Sequence, residues 1–313
     1  MINKKNKGIS IVLPVLNEEV ILKELHQKLS EVISKRSEQF EIIFVNDGSV
    51  DKSLAILLSI RKEDNRVCIL DFSRNFGHQV ALNAGLREAT GDAVILMDSD
   101  LEDSPKDILK FLEQWDLGYE VVYAIRKKRQ VSWLKSLFFK LFHKFNKRVS
   151  TINMEAAGIF SLMDRRVVNE MIFINEHNPY LPGLRSWIGF KQIGIEVDRG
   201  GRYDSSPRVS IPQLYKLAFD SFTSFSGNLL SLPIIIGFVF FTISILALIV
   251  IVVLKLYYGV GPWGWASLAS IILFLSGIQF AFIGLLGEYI SRIMEEVKGR
   301  PLYIIRKKYM QDN

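Results

Sequence analysis

The chain holds 313 residues, 49% apolar and 23% charged, with 39 Lys and Arg against 33 Asp and Glu for a formal net charge of +6. That balance is too apolar and too evenly charged for a disordered chain, and the length suffices for one large domain or two, each with a real core. The single cysteine, Cys68, excludes an intrachain disulfide framework and a cysteine-rich zinc module.

From the amino end, short β-branched runs alternate with helical patterns. Strands are predicted at Ile9–Leu16, Phe40–Val45, Val67–Phe72, Ala93–Met97 and near Glu120–Ala124. Helices are predicted at Glu18–Ser34, Lys52–Arg61, Gly77–Ala89 and Lys106–Trp115. Such alternation predicts a mainly parallel sheet with helices on both faces, and in such sheets ligands sit at the carboxyl ends of the strands. Four polar clusters fall at those ends: Asn17-Glu18-Glu19, Asn46-Asp47-Gly48-Ser49, Arg74-Asn75-Phe76-Gly77 and Asp98-Ser99-Asp100. No GxGxxG follows the first strand, which weighs against a nicotinamide or flavin enzyme.

Two of these clusters carry chemistry. Asp98 and Asp100 follow an apolar strand, where two carboxylates can hold a hard divalent cation against a diphosphate; the plainer alternative is a helix cap with surface acids. Asp47 stands at a strand end beside a turn glycine, where it can accept hydrogen bonds from a base or ribose; a bland turn is the alternative. Asp51 reads as the start of the following helix, and Ser104-Pro105 as N-cap and first helical residue. His78 reads as a locally bonded side chain, with contact to the donor as the alternative, and Cys68 as core.

Further along, Val121 to Met154 contains no acid, while Arg126, Lys127, Lys128, Arg129, Lys135, Lys140, Lys144, Lys147 and Arg148 supply nine positive charges. Trp133, Leu134, Leu137, Phe138, Leu141, Phe142 and Phe145 recur there at helical spacing. A basic, aromatic-rich amphipathic helix of this kind predicts contact with a lipid surface rather than with nucleic acid; a helix docked on the sheet is the alternative. Two uncharged runs follow, Leu232–Leu254 and Ser267–Leu286, each about the 20 residues a helix needs to cross a bilayer. Their flanks place Arg202, Arg208 and Lys216 before the first run and six basic residues after the second, with only Lys255 between. The expectation is therefore a multi-pass membrane protein with both termini and about the first 200 residues in the cytoplasm. Ser267, Ala269, Ser276 and Gly277 leave room for a homo-oligomer.

Taken in order, LPVLNEE, VNDGSVDKS, RNFGHQVALNAGL and MDSDLEDSP closely resemble glycosyltransferase family 2, above all the branch that charges polyprenyl phosphates. FSLMDRRVV, LYKLAFDSFTSFS and GEYISRIMEEVKGRPLYII are similar to that branch as well. The resemblance implies an α/β fold, a GT-A (Rossmann-like) catalytic domain over residues 1–208. A juxtamembrane region would follow at 209–231, a two-helix transmembrane hairpin at 232–287 and a cytoplasmic tail at 288–313. It implies inverting, metal-dependent transfer of a hexose from a nucleotide sugar, UDP-glucose by preference, to undecaprenyl phosphate. Carried over by motif, Pro14, Asn17, Glu19, Asp47 and Asp98 bind the nucleotide sugar. Asp98 and Asp100 handle Mg²⁺ or Mn²⁺ and the diphosphate, with Glu102 as a third metal-side group. Arg126 and Arg129 join the two aspartates as catalytic groups near the acceptor phosphate, and Lys135, Arg202 and Arg208 extend that basic acceptor and membrane surface.

The chain also departs from the pattern. AAGIFSLMDR has Ile159 and Ser161 where the family often carries an acid, with Glu155 nearby, and SSPRV leaves Arg208 as the basic equivalent of a lysine-bearing segment. Three rival readings stay open: a processive polysaccharide synthase, a hydroxyl-acceptor transferase that would need a general base, and a non-catalytic membrane scaffold.

Overall fold

The computed structural model describes residues 8–126, 158–174, 176, 179–197 and 264–310, with residues 246, 250, 253, 256 and 257. Strand β1 (Gly8–Val15) is apolar at nearly every position and buried on both faces, as a central strand under two helical layers requires. β2 (Gln39–Asn46) pairs parallel with it and β3 (Val67–Phe72) parallel with β2, while β4 (Ala93–Leu96) pairs parallel on the other side of β1. Helices α1 (Leu22–Ile33), α2 (Ser53–Glu63) and α3 (His78–Glu88) make the returns. The predicted strands and helices of this half are all found, shifted at their ends by a few residues.

The end shifts have local causes. Helix α1 starts at Leu22 rather than Glu18, because the preceding residues form a turn bonded to the loop after β2. Asp51 does start the next helix: its Oδ1 accepts from Ser53 N, the first residue of α2, at 2.9 Å. Ser104 opens a run of tight turns, accepting through its carbonyl from Asp107 N, and α4 (Asp107–Asp116) proper begins there. Cys68 is core, as expected.

Beyond α4 the predicted parallel sheet becomes a mixed one. Its strands run in the order β7-β5-β6-β4-β1-β2-β3-β8. β5 (Val121–Arg126) and β7 (Gln192–Val197) pair parallel, whereas β6 (Ser161–Asp164) lies antiparallel between β4 and β5. β8 (Ile305–Tyr309) closes the far edge antiparallel to β3. An uncovered edge there would present a row of unpaired backbone groups, which the C-terminal strand satisfies. Two helices, α5 (Arg165–Phe173) and α6 (Leu181–Trp187), separate β6 from β7.

Packing follows from helical periodicity. Leu22, Leu25, Leu29 and Val32 of α1, and Ile108, Phe111, Leu112 and Trp115 of α4, fall at spacings of three and four and are buried in the core beside the strand side chains. α3 instead uses small residues. A Cβ on Gly85 would stand 2.2 Å from Val12 Cγ1, so only glycine lets this helix sit so close to β1.

One polar staple ties α1 to the turn before β3. Asp64 accepts from Arg66 Nε at 2.9 Å and Nη2 at 2.7 Å, and its Oδ2 lies 2.8 Å from His26 Nε2. The Arg66 bonds foremost, then the His26 bond, hold the Asp64 carboxyl well below the usual carboxylate range, against the upward push of burial. Asp64→Asn is expected to cost about 1 kcal/mol at neutral pH in chemical denaturation. A carboxyl whose folded pKa is depressed stabilises above its unfolded value near 3.8 and loses that contribution as the pH falls through the folded one. The variant and the parent should therefore converge on acidification.

The expected membrane location requires correction. Among the described residues no helix is long and apolar enough to cross a membrane. The run Leu232–Leu254 lies almost wholly outside the described residues. The run Ser267–Leu286 lies within α7 (Trp265–Lys298), a 34-residue helix that continues past the apolar stretch. Its last three turns carry Glu288, Arg292, Glu295, Glu296 and Lys298, residues costly to place in hydrocarbon. The helix stops at Gly299, left-handed at φ 58°, ahead of Pro301. By contacts the chain divides into Met1–Ser221 with Pro301–Asn313, and Phe222–Arg300. The tail residues 301–310 thus belong with the sheet.

Candidate functional site

The chain runs outward from β1 through β2 to β3, then crosses to the opposite side of β1 to make β4. That reversal is a topological switch point, where the diverging loops of open α/β sheets leave a crevice outside the carboxyl ends of the strands. Pro14 lies at the end of β1, and its carbonyl accepts from Ser99 Oγ at 2.7 Å, which ties the β4 loop to the β1 end. Asp98 and Asp100 flank that serine. Both are partly exposed, while Ser99 between them is buried. Asp100 Oδ1 accepts from Glu102 N at 3.0 Å across a turn in which Leu101 has φ 58°.

The opposite wall consists of two loops knitted together. Asn17, at φ 56°, donates its backbone N–H to Ser49 Oγ at 3.0 Å and accepts from Val50 N through Oδ1 at 2.9 Å. Glu18 N donates to Ser53 Oγ and Glu19 N to Asp51 Oδ2, while Glu19 Oε2 accepts from Lys52 N at 2.9 Å. Sequence reasoning assigned Asn17 and Glu19 to a nucleotide. In the structure their side chains bind the backbone of the β2–α2 loop, and so fix the shape of the wall.

Asp47 is 2% exposed and receives the third loop. Its Oδ1 accepts from Phe76 N at 2.7 Å and its Oδ2 from Gly77 N at 3.0 Å. Burial pushes the Asp47 carboxyl up, while those two amides and the nearby His78 and Arg74 pull it back. Gly48 makes the approach possible: at φ 69° a Cβ there would lie 2.5 Å from the Arg74 carbonyl carbon.

The residue that sequence reasoning undervalued is His78, the first residue of α3. Its Nε2 lies 2.8 Å from Asp98 Oδ1, so the third loop reaches across to the β4 acids. Desolvation pulls the imidazole down, but the bond to Asp98 and the charges of Asp98, Asp47 and Asp100 outweigh it and raise the His78 pKa. The signal was a histidine immediately after a glycine at a strand-end loop. Ser49 stood in one of the polar clusters and Asp51 read as a helix start, without the bonds they make to the Asn17 and Glu19 amides.

The donor set suits a hard cation. Two carboxylate side chains at a strand end, open to solvent, are the chemistry Mg²⁺ and Mn²⁺ select when substrate phosphates complete the shell. Among the described residues no group of three or more His, Cys, Asp or Glu is arranged to hold a metal ion; Glu102, two residues after Asp100, is buried at 7% exposure. Arg126 ends β5, with its side chain outside the described set. Arg129, Lys135, Glu155, Arg202 and Arg208 lie outside the described residues. β6, which contains Ser161, is buried at its first three positions and offers Asp164 at its far end, where that side chain caps α5 and accepts from Trp115 Nε1.

A separate cavity of about 610 Å³ lies at the amino ends of β2 and β3, lined by Arg36, Arg61 and Arg66 among others. Arg36 is paired with Glu38 and Asp116, and Arg66 with Asp64, so two of its three guanidinium charges are already satisfied.

Residues 10–172 match the family model described as glycosyl transferase family 2. The chain is 42% identical over 306 residues to the "Uncharacterized glycosyltransferase YkcC" of Bacillus subtilis (strain 168), spanning 97% of this chain and 95% of that protein. It is 38% identical over 303 residues to the "Bactoprenol glucosyl transferase" of Shigella phage SfII, spanning 96% and 98%. Among solved structures it is similar to the mannosyltransferase PcManGT from Pyrobaculum calidifontis in complex with GDP-Man and Mn²⁺. That similarity has a TM-score of 0.47 at 16% identity, over 64% of this chain and 59% of the other.

Proposed function

The chain belongs to glycosyl transferase family 2, with a GT-A-like mixed sheet, and from that premise we propose that it moves a hexose from a nucleotide sugar to a polyprenyl phosphate. UDP-glucose is the proposed donor and undecaprenyl phosphate the proposed acceptor, in line with the glucosyl transferase named among its relatives. The observation that carries the reading is the pair Asp98 and Asp100 at the crevice between β1 and β4, facing loops rigidly cross-bonded through Asn17, Glu19 and Asp47.

A lipid phosphomonoester has a second pKa near 6, so at neutral pH it is already an oxyanion and needs no strong general base. That removes the need for an acid at Ile159 or Ser161. The remaining barrier lies in the departing nucleoside diphosphate and in bringing two anions together. Asp98 and Asp100 would hold Mg²⁺ or Mn²⁺, which when bound supplies Lewis-acid charge to the leaving diphosphate. The cross-bonded loops hold the nucleotide end, with Asp47 fixing the loop Ser73–Gly77 beneath it. Arg126 and Arg129, with Lys135, Arg202 and Arg208, are assigned by charge and motif to the acceptor phosphate. Attack from the face opposite the diphosphate inverts the anomeric centre, so an α-linked donor yields a β-linked lipid product.

The test offers the full chain undecaprenyl phosphate with a panel of radiolabelled UDP- and GDP-sugars, with and without Mg²⁺. Label that becomes organic-extractable and mild-acid-labile only with the cation supports the reading and names the sugar. Label that enters a long polymer or a water-soluble alcohol, never the isoprenoid fraction, would overturn it.

A further inference from the structure

The C-terminal strand does more than cover an edge. The pairing of β8 with β3 breaks register between Asp71 and Phe72, the point at which the chain leaves the sheet for the loop Ser73–Gly77. Irregularities of this kind re-aim side chains at a strand end. Past the break the tail keeps hold of the loop: Ser73 N donates to the Ile304 carbonyl and Arg306 Nη2 donates to the Ser73 carbonyl, both at 2.9 Å.

From there two chains of contact reach the crevice. Tyr303 stacks on the buried Phe72 with ring centroids 5.1 Å apart and planes 13° apart, and Phe72 meets Phe76 edge-on at 5.6 Å. The Phe76 amide is one of the two that bind Asp47. In parallel, Arg306 lies 3.5 Å from Asp71 Oδ2, Asp71 Oδ1 accepts from Asn46 Nδ2 at 2.8 Å, and Asn46 Oδ1 accepts from Ser49 N at 3.3 Å. Ser49 in turn holds Asn17. Lys308 adds a bond to Glu88 at the far end of α3, the helix that begins with His78.

We infer that the tail is a strap on the donor pocket, with Tyr303 and Arg306 as positioning residues that hold the loop Ser73–Gly77 and the β2–α2 turn in their binding shape. The inference rests on the reading of that crevice as the nucleotide-sugar site. A merely edge-covering strand would contribute to stability alone. A strap also sets donor affinity, because loosening the loop leaves Asp47 without fixed partners and the pocket wall without its shape.

The full chain is compared with Tyr303→Ala, Tyr303→Phe and Arg306→Ala, by hydrogen exchange without nucleotide and by titration with UDP, GDP and UDP-glucose. Tyr303→Ala is expected to speed exchange at the Phe76 and Gly77 amides and to weaken donor binding about five- to tenfold. The KM for undecaprenyl phosphate should stay within about twofold, and Tyr303→Phe, which keeps the stacked ring, should match the parent. Should Tyr303→Ala not fold, Arg306→Ala decides, since that side chain is 60% exposed and its removal opens no core cavity. Unchanged exchange at Phe76 and Gly77, or equal losses for donor and acceptor, overturns the strap. A parent protein that binds none of the three nucleotides overturns the donor reading, and the exchange data then judge the strap alone.

Discussion

Replacing Asp100 by Ala is expected to lower transfer turnover by about 10³-fold or more at saturating donor and acceptor, with the thermal midpoint shifted by only a few degrees. The carboxylate sits at the carboxyl end of β4 where the crevice opens, and its proposed work is to hold a divalent charge against the leaving diphosphate. Loss of that electrostatic help removes several kcal/mol from the transition state while leaving the core untouched. The same oxygen also accepts from Glu102 N, so Ala removes a turn contact as well. Asp100→Asn separates the two roles: it retains an acceptor for that amide and loses the charge. Turnover should fall nearly as far in Asn as in Ala, and the fall should coincide with loss of stimulation by Mg²⁺. A variant at near-parent turnover would show that the acid pair is not the catalytic centre.

Asp47→Ala should be the most damaging single change to the donor pocket, lowering stability by about 2–4 kcal/mol and raising the donor KM at least about tenfold. The carboxylate is nearly inaccessible and both of its oxygens are occupied by loop amides, at 2.7 Å from Phe76 and 3.0 Å from Gly77. Its removal leaves two N–H groups without their acceptor in a half-buried loop. Asn is no conservative substitute, because its –NH₂ would face one of those donors. Denaturant unfolding gives the stability loss and donor titration the affinity loss. A stability change below about 0.5 kcal/mol would mean that the loop finds other acceptors and that Asp47 does not organise it.

Some of this molecule can be read directly from local sequence. The first four strands, the helices between them and the clusters at their ends follow from β-branched runs alternating with periods of three and four, because each such element buries a face that its own residues define. Cys68 in the core and Asp51 at a helix start are of the same kind. The strands β6, β7 and β8 escaped. SLMD is only four residues long, and IRKKY, with three consecutive basic residues, reads as a solvated tail. Both are strands because of what lies beside them.

The apolar runs near the carboxyl end predicted a multi-pass location, whereas among the described residues no helix is long and apolar enough to cross a membrane. An uncharged stretch records only the hydropathy of its own residues, and the second run is part of a longer helix, Trp265–Lys298. Asn17 and Glu19 illustrate a different limit. Their types and positions pointed to the crevice, but a polar side chain can serve a ligand or a neighbouring loop, and only the distances to Val50 N and Lys52 N show that they hold the wall.

Local sequence settles the α/β class, the polar groups at the strand ends and the acid pair after β4, since propensity and periodicity act over a few neighbouring residues. Tertiary structure decided the side of β1 on which β4 lies, the bond from His78 to Asp98 and the return of the tail to β3. Those contacts join residues 20 to 240 positions apart. They exist because the folded sheet must pair its edges and satisfy its buried polar groups, a requirement that no short window of sequence contains.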